Sequence, residues 1–163
     1  MRLIFLDFDG VLNECGDLIA AGTADVLSRE KIARLNHVLW SVPDARIVVS
    51  STWRLFPYTD TVEKLEERLT RDGLVSGRVI GMTPCLQCGM SDYRSRRGQE
   101  IAEWLASYSG RDPIESWVVV DDDLDMASLD GLRIVHTSYD IHGLTDWHAD
   151  EMIRILRTDL TEE

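Results

Sequence analysis

The chain has 163 residues, of which 28% are charged and 44% hydrophobic, a composition typical of a soluble globule with one full-sized core. Its formal net charge of −12 excludes broad, non-specific nucleic-acid binding, although a local basic patch is still compatible with it. No apolar run approaches the roughly 20 residues of a membrane span, and an acid at position 7 argues against a signal peptide. With only three cysteines, the sequence predicts a single cytoplasmic domain over residues 1–163 and no membrane association.

The first predicted strand ends in paired acids. Four apolar residues, Leu3–Leu6, precede Asp7 and Asp9, and Gly10 follows. Residues two apart on a strand point to one side, so the two carboxylates repel each other unless a cation or a proton separates them. The carboxyl end of a parallel strand is also where open α/β sheets bind ligands. We therefore expect a site here rather than a strand end with solvated acids.

Strands and helices alternate along the rest of the chain. After a loop or flap over Leu12–Thr23, the pattern predicts a helix from Ser28 toward Trp40, a strand over Arg46–Ser50, a helix over about Thr59–Arg71, a short strand within Val75–Met82 and a loop over Thr83–Ser95. A helix from Arg97, strands over Trp117–Val120 and Leu132–His136, and a C-terminal helix carrying Met152, Ile155 and Leu156 follow. This order predicts a three-layer, Rossmann-like parallel sheet with helices on both faces. The connections are too short for a folded cap domain.

Two further predicted strands also end in polar side chains. Ser50 and Ser51 follow the second strand, and Asp121 and Asp122 follow the strand that begins at Trp117. In a parallel sheet these ends lie on one edge, where carboxylates from separate strands form an oxygen-rich site suited to Mg²⁺. A hydroxyl such as that of Ser50 donates to a phosphoryl oxygen, and a cation at a helix start neutralises its charge.

Four segments of the chain resemble the motifs of the haloacid dehalogenase (HAD) superfamily of phosphotransferases. They are Asp7–Val11, Ile47–Ser50, Arg97 with Ile101, and Val118–Asp122. More narrowly, Ser50–Arg54 and Arg97–Leu105 resemble the HAD domains of bacterial Swiss-army-knife RNA-repair proteins. The resemblance covers nearly the whole chain and implies a HAD-like fold.

The resemblance implies a Mg²⁺-dependent phosphomonoester hydrolase. Asp7 would attack phosphorus and form an aspartyl-phosphate, and Asp9 would protonate the leaving oxygen and then deprotonate water. Mg²⁺ would be held by Asp7, the Asp9 main-chain carbonyl and Asp122, while Asp121 would lie beside the ion or share it. The transferred phosphoryl group would be held by Ser50, Ser51 and Arg97.

The basic role and the substrate stay open at this point. Arg94 and Arg96 compete with Arg97 for the basic position. A site without a lid suits a phosphate at the end of a large molecule, such as a nucleic-acid end, or a nucleotide, and no obligate protein partner is evident. A local patch of basic and aromatic residues could bind the backbone and bases of such a substrate: Arg54, Arg94, Arg96 and Arg97 with Trp53 and Tyr93. The alternative is that these arginines are only solvated loop residues.

Two other functional classes compete with the phosphatase. One is a catalytically idle phosphate-binding or interaction module that kept the fold, but an idle site has no need of four mutually repelling carboxylates. The other is a receiver-type signalling domain, in which the phosphorylated Asp would lie on a later strand than the acidic pair. The Asp-x-Asp-Gly sequence on the first strand favours the phosphatase over this receiver-type domain.

The remaining candidate residues are interpreted as structural. Cys85 and Cys88 have the spacing of half a zinc site or of a redox pair, but no second pair follows, so we expect two plain loop thiols. The histidines late in the chain are expected to be structural or at the surface: His136, His142 and His148. Four tryptophans are expected in the core rather than at a ligand: Trp40, Trp104, Trp117 and Trp147.

Overall fold

The computed structural model describes residues 1–86, 96–127 and 129–160. Their strands form one parallel sheet in the order β3-β2-β1-β4-β5. The strands are β1 (Arg2–Leu6), β2 (Ala45–Val49), β3 (Val79–Met82), β4 (Ser116–Asp121) and β5 (Ile134–His136). This arrangement confirms the predicted Rossmann-like α/β class.

Helices connect the strands. They are α1 (Cys15–Ala21), α2 (Arg29–Ser41), α3 (Val62–Arg71), α4 (Arg97–Ser107) and α5 (Asp146–Leu156), with short 3-10 turns at Thr52–Leu55 and Gly131–Arg133. α1 lies where the sequence predicts a loop. A capping box between Glu14 and Asp17 begins it, and Gly22 ends it with a positive φ. None of its seven residues is buried, so it lacks the apolar periodicity by which a helix is predicted.

The hydrophobic core lies on both faces of the sheet, because alternate residues of each buried strand point to opposite sides. Ile4 and Leu6 of β1 belong to the larger cluster, which includes residues of α2, α3 and α5. Leu3 and Phe5 belong to a smaller cluster with Ile101 of α4. The sheet is therefore the middle of three layers, as predicted.

The register of β1 with its two neighbours sets the position of the polar strand ends. Leu6 lies opposite Val49 of β2 and opposite Val120 of β4. The residues that follow these three therefore meet at one edge of the sheet. These residues are the ones that the sequence singled out at the ends of the three strands.

The connection between β1 and β2 contains only α1 and α2, and no additional sheet is present in the described residues. The predicted loop over Thr83–Ser95 is described only as far as residue 86. None of the helices in the described ranges combines the length and apolarity needed to cross a membrane.

Two of the four tryptophans expected in the core are in fact exposed. The exposed fractions are 65% for Trp40 and 67% for Trp147, because each lies on the outer side of its helix. Trp117 is buried and Trp104 is partly buried, and both pack edge-on against Phe5 with ring centroids 6.4 and 5.6 Å away.

The late histidines have the structural or surface positions that we expected. His148 is buried and completes a capping box with Thr145 at the start of α5, and its ring contacts that of His142. His136 is exposed at the end of β5.

The expectation of two loop thiols is wrong for Cys85, which is disulfide-bonded. Without a thiolate, Cys85 cannot serve as a zinc ligand in this state. Cys88 lies outside the described residues.

Candidate active site

Three carboxylates converge at the carboxyl edge of the sheet. Asp7 follows β1, Asp121 ends β4 and Asp122 comes next, and one oxygen of each lies within 4.8 Å of the others. The Asp7 main-chain N–H donates to the Val120 carbonyl at 3.1 Å, which joins the two strand tips beyond their last paired residues. The strand ends therefore lie side by side, as the sequence predicts.

A buried guanidinium lies among these carboxylates. Arg97, the first residue of α4, places Nη1 2.6 Å from Asp121 Oδ2 and 3.3 Å from Asp7 Oδ1. Burial by itself lowers the pKa of Arg97, but the charges of the two carboxylates outweigh it and raise the pKa. Of the three arginines that compete for this role, Arg94 lies outside the described residues and Arg96 is exposed.

The acids beside Arg97 are electrostatically unbalanced. Burial, followed by the negative charge of Asp7, raises the pKa of Asp121 well above its ordinary value and that of Asp122 to about 6. Asp121 is engaged at both oxygens, by Arg97 and by the main-chain N–H of Asp123 at 2.9 Å. The half-buried Asp122 carboxylate accepts no hydrogen bond from another described residue. It is therefore the more available of the two for a cation.

Asp9 is held by two neutral donors. Asn13 Nδ2 donates to Oδ1 at 2.8 Å, and Trp53 Nε1 donates to Oδ2 at 2.8 Å. Asn13 also accepts from the Gly10 N–H at 3.1 Å, so the fully buried Asn13 fixes both the acid and the turn that follows it. The arrangement fixes the carboxyl group without giving it an ionic partner.

Ser50 carries a fully buried hydroxyl for which the described part of the chain provides no hydrogen-bond partner. Its main-chain N–H donates to the Leu6 carbonyl at 2.9 Å, which places Ser50 beside the end of β1. A buried hydroxyl without a partner is costly, so this atom indicates a ligand. The Ser51 hydroxyl instead accepts from the Trp53 N–H at 3.3 Å and caps the 3-10 turn.

The position of Gly10 requires glycine. Its φ is +75°, and a Cβ added there would lie 2.3 Å from Cγ of Asp122. The turn after Asp9 therefore passes directly against the Asp122 carboxylate.

A family model described as the HAD domain in Swiss Army Knife RNA repair proteins matches residues 3–149. The chain belongs to this family. Membership confirms the predicted resemblance and indicates phosphatase-type, hydrolytic chemistry in general terms. The searches of curated proteins and of solved structures returned no match.

In this HAD domain the predicted basic patch is wrong in three of its members. Arg54, Trp53 and Arg97 are all buried rather than solvent-facing. Arg54 donates to the carbonyls of Ser50 and Ser51 and forms an ion pair with Glu100 at 2.6 Å. These carbonyls are buried just after the end of β2 and need hydrogen-bond donors, which the Arg54 side chain provides. Tyr93 and Arg94 lie outside the described residues, and Arg96 is exposed.

Sequence reasoning missed three supporting residues of the HAD site. Asn13 lies in the turn four residues after Asp9, and Glu100 pairs with Arg54, which is distant in sequence, so neither role follows from helical spacing. Tyr139 lies in the loop after β5 and carries no sequence signal that points to the site.

Proposed function

We propose that this protein is a Mg²⁺-dependent phosphomonoester hydrolase that acts through an aspartyl-phosphate on Asp7. The observation that carries the proposal is the convergence of Asp7, the buried Arg97 and the unpartnered hydroxyl of Ser50 at one edge of the sheet. A nucleophile, a cation and a free donor are what binding and transfer of a phosphoryl group require.

The carboxylates suit a divalent cation. Arg97 compensates only one of the three charges of Asp7, Asp121 and Asp122, while burial, followed by the charge of Asp7, raises the pKa of the last two. We assign Asp7, Asp122 and the Asp9 main-chain carbonyl as the ligands, and Asp121 as the residue that positions Arg97. Bound there, Mg²⁺ supplies positive charge to the phosphoryl oxygens.

Two steps complete the reaction. A carboxylate oxygen of Asp7 bonds to phosphorus, the bond to the leaving oxygen breaks, and Asp9 gives that oxygen a proton. A water molecule then attacks phosphorus, Asp9 takes its proton, and the bond to Asp7 breaks to release inorganic phosphate. Arg97 and Ser50 stabilise the phosphoryl oxygens in both steps.

The substrate class that we propose is a nucleotide or a phosphorylated nucleic-acid end. The family description, which names RNA repair, supports it. So does the connection between β1 and β2, which contains only α1 and α2 and no additional sheet.

A phosphate-release screen tests the proposal. Nucleotides, sugar phosphates and oligonucleotides with 2′, 3′ or 5′ phosphates are assayed with and without Mg²⁺, beside Asp7→Asn. We expect Mg²⁺-dependent release that falls at least about 10³-fold in the variant, as loss of a nucleophile does elsewhere. Equal activity of both proteins would identify a contaminant. Phosphate binding without turnover of any ester would favour the idle module instead.

A further inference from the structure

A cleft of about 540 Å³ opens beside Asp9. It is bordered by parts of the chain that follow β1, β2 and β5. Four of its lining side chains are aromatic: Trp53, Phe56, Tyr58 and Tyr139. Its size is within the range of small-molecule sites in proteins.

Two of these aromatic residues form a stacked, exposed pair. The rings of Phe56 and Tyr58 lie 5.5 Å apart at an interplanar angle of 15°, and the residues are 41% and 57% exposed. The turn that carries them is fixed, because the Thr59 N–H donates to the Phe56 carbonyl at 2.9 Å and the Thr59 hydroxyl donates to the Trp53 carbonyl. A rigid aromatic pair at the mouth of a cleft is preorganised for stacking.

Tyr139 reaches the same cleft from the other half of the sheet. Its main-chain carbonyl accepts from the Cys15 N–H at 3.0 Å, which ties the loop after β5 to the start of α1. Burial, followed by the nearby charges of Cys15 and Asp9, raises the pKa of its hydroxyl, so the phenol stays neutral beside Asp9.

The charges around the cleft restrict what it can bind. Its described lining contains the carboxylates of Asp9 and Asp25 and no lysine or arginine. Asp25 is paired with Arg68, whose guanidinium lies over the Trp53 ring 5.0 Å from its centroid. A neutral, planar group fits this lining, whereas a second phosphate or an acidic sugar would meet repulsion.

We propose that this cleft binds the nucleobase of the nucleoside that leaves when the phosphate is removed. The inference rests on the proposed function, in which Asp9 protonates the leaving oxygen and the leaving group therefore lies on the side that Asp9 lines. The substrate class is a nucleoside phosphomonoester, either a free nucleotide or the phosphorylated end of a nucleic acid. Phe56, Tyr58 and Tyr139 supply the stacking surfaces.

Single truncations of the exposed pair test the inference. Phe56→Ala and Tyr58→Ala are compared with wild type by kcat/KM on a nucleoside monophosphate and on glycerol phosphate. Loss of one stacking partner lowers kcat/KM on the nucleotide about tenfold and leaves glycerol phosphate within about twofold. Trp40→Ala is the matched control, because Trp40 is an exposed aromatic that comes before β2, whereas the cleft is lined by segments that follow the strands.

Three results would overturn the inference. They are equal losses on both esters, no loss on the nucleotide, and higher kcat/KM on phosphotyrosine than on any nucleotide. Oligonucleotides with a terminal phosphate are assayed beside free nucleotides to identify which of them supplies the nucleobase. A higher kcat/KM on either one that Phe56→Ala or Tyr58→Ala lowers supports the base site.

A binding measurement separates this inference from the proposed function. Adenosine, which carries no phosphate, is titrated into the wild-type protein while the Trp53 indole N–H resonance is followed by NMR, and the titration is repeated with Tyr58→Ala. A shift that Tyr58→Ala abolishes, in a protein that hydrolyses no ester, refutes the hydrolase and retains the base site. Hydrolysis of glycerol phosphate with no response to adenosine refutes the base site and retains the hydrolase.

Discussion

At the level of single residues, charge balance explains the site. One guanidinium, that of Arg97, lies among the carboxylates of Asp7, Asp121 and Asp122, so these four groups carry a net charge of −2 when all three acids are ionised. A divalent cation would neutralise that net charge, and protonation of the acids is the alternative in its absence. Two neutral donors hold Asp9, Asn13 Nδ2 and Trp53 Nε1, in keeping with the proton transfer that we propose for it.

Gly10→Ala should disable the site without unfolding the protein. The positive φ costs an alanine about 1–2 kcal/mol of stability, and the new Cβ displaces the Asp122 carboxylate. We expect Mg²⁺ affinity, measured by calorimetry, to fall at least about tenfold. Gly22→Ala is the control, because Gly22 has a similar φ of +68° with nothing within 4 Å of an added Cβ. Equal Mg²⁺ affinity in the two variants would contradict this reading.

Substitution of Asp121, the last residue of β4, and of Asp122, which follows it, should separate their roles. Asp122→Asn should raise the Mg²⁺ concentration for half-maximal activity more than about 100-fold, because a direct ligand is worth more than the 10–100-fold typical of its supporting partners. Asp121→Asn should raise it by about tenfold at most, and should chiefly weaken phosphate binding through Arg97. Metal titrations of both variants check this assignment, and the reverse order would show that Asp121 is the ligand.

At the level of elements, Arg54 joins the tips of β2 and β3 to α4. Its guanidinium donates to the carbonyls of Ser50 and Thr83 and forms the buried ion pair with Glu100. The helix that carries Arg97 is thereby held against the strand that carries Ser50.

Arg54→Met should destabilise the protein by about 3–5 kcal/mol, because it leaves the Glu100 charge buried without its partner. Urea unfolding measures the change. Arg154→Met, which breaks the ion pair of the exposed Arg154 with Glu151, should change the stability far less. Similar losses in the two variants would show that the Arg54 pair has no special structural role.

The cap of α5 should make stability depend on pH. His148 Nδ1 accepts from the Thr145 N–H at 3.1 Å, and burial, followed by the neighbouring His142, lowers the pKa of His148 below its ordinary 6.5. A lowered folded pKa means that the stabilisation is complete above about 6.5 and is lost as pH falls through the folded value. His148→Gln keeps a capping box without titrating.

Thermal unfolding from pH 7.5 to 5 measures this effect. The melting temperature of wild type should fall more steeply with acidification than that of His148→Gln. His37→Gln, at an exposed position on α2, should follow wild type. Parallel curves for wild type and His148→Gln would contradict the role given to His148.

The elements that the sequence predicted well are those whose buried residues form a recognisable pattern of apolar residues along the chain. The strands β1, β2 and β4 are continuous apolar runs, and α2 shows an apolar face, so their positions follow from hydrophobicity alone. α1 could not be predicted in this way because it buries nothing. The interior position of Arg54 was also unpredictable, because it depends on carbonyls that only the fold brings together.

At the level of the whole molecule, the strand order explains how distant residues meet. With β1 between β2 and β4, the residues after three strands reach one edge. The sequence supplied which residues lie at strand ends, and parallel pairing supplied their shared edge. The sequence could not show which hydrogen bonds each side chain forms. Examples are the bond that Arg97 donates to Asp121 and the bond that Trp53 donates to Asp9.

Chemical trapping of the covalent intermediate would show whether Asp7 is the nucleophile. Asp9→Asn, incubated with acetyl phosphate and Mg²⁺, is quenched in acid and analysed by peptide mass spectrometry; acetyl phosphate needs little help from an acid, while the slowed second step lets the adduct accumulate. We expect one added phosphoryl group on Asp7 that requires Mg²⁺ and is absent from the double variant Asp7→Asn/Asp9→Asn. A phosphoryl group on another residue, or turnover by Asp7→Asn at the wild-type rate, would contradict it.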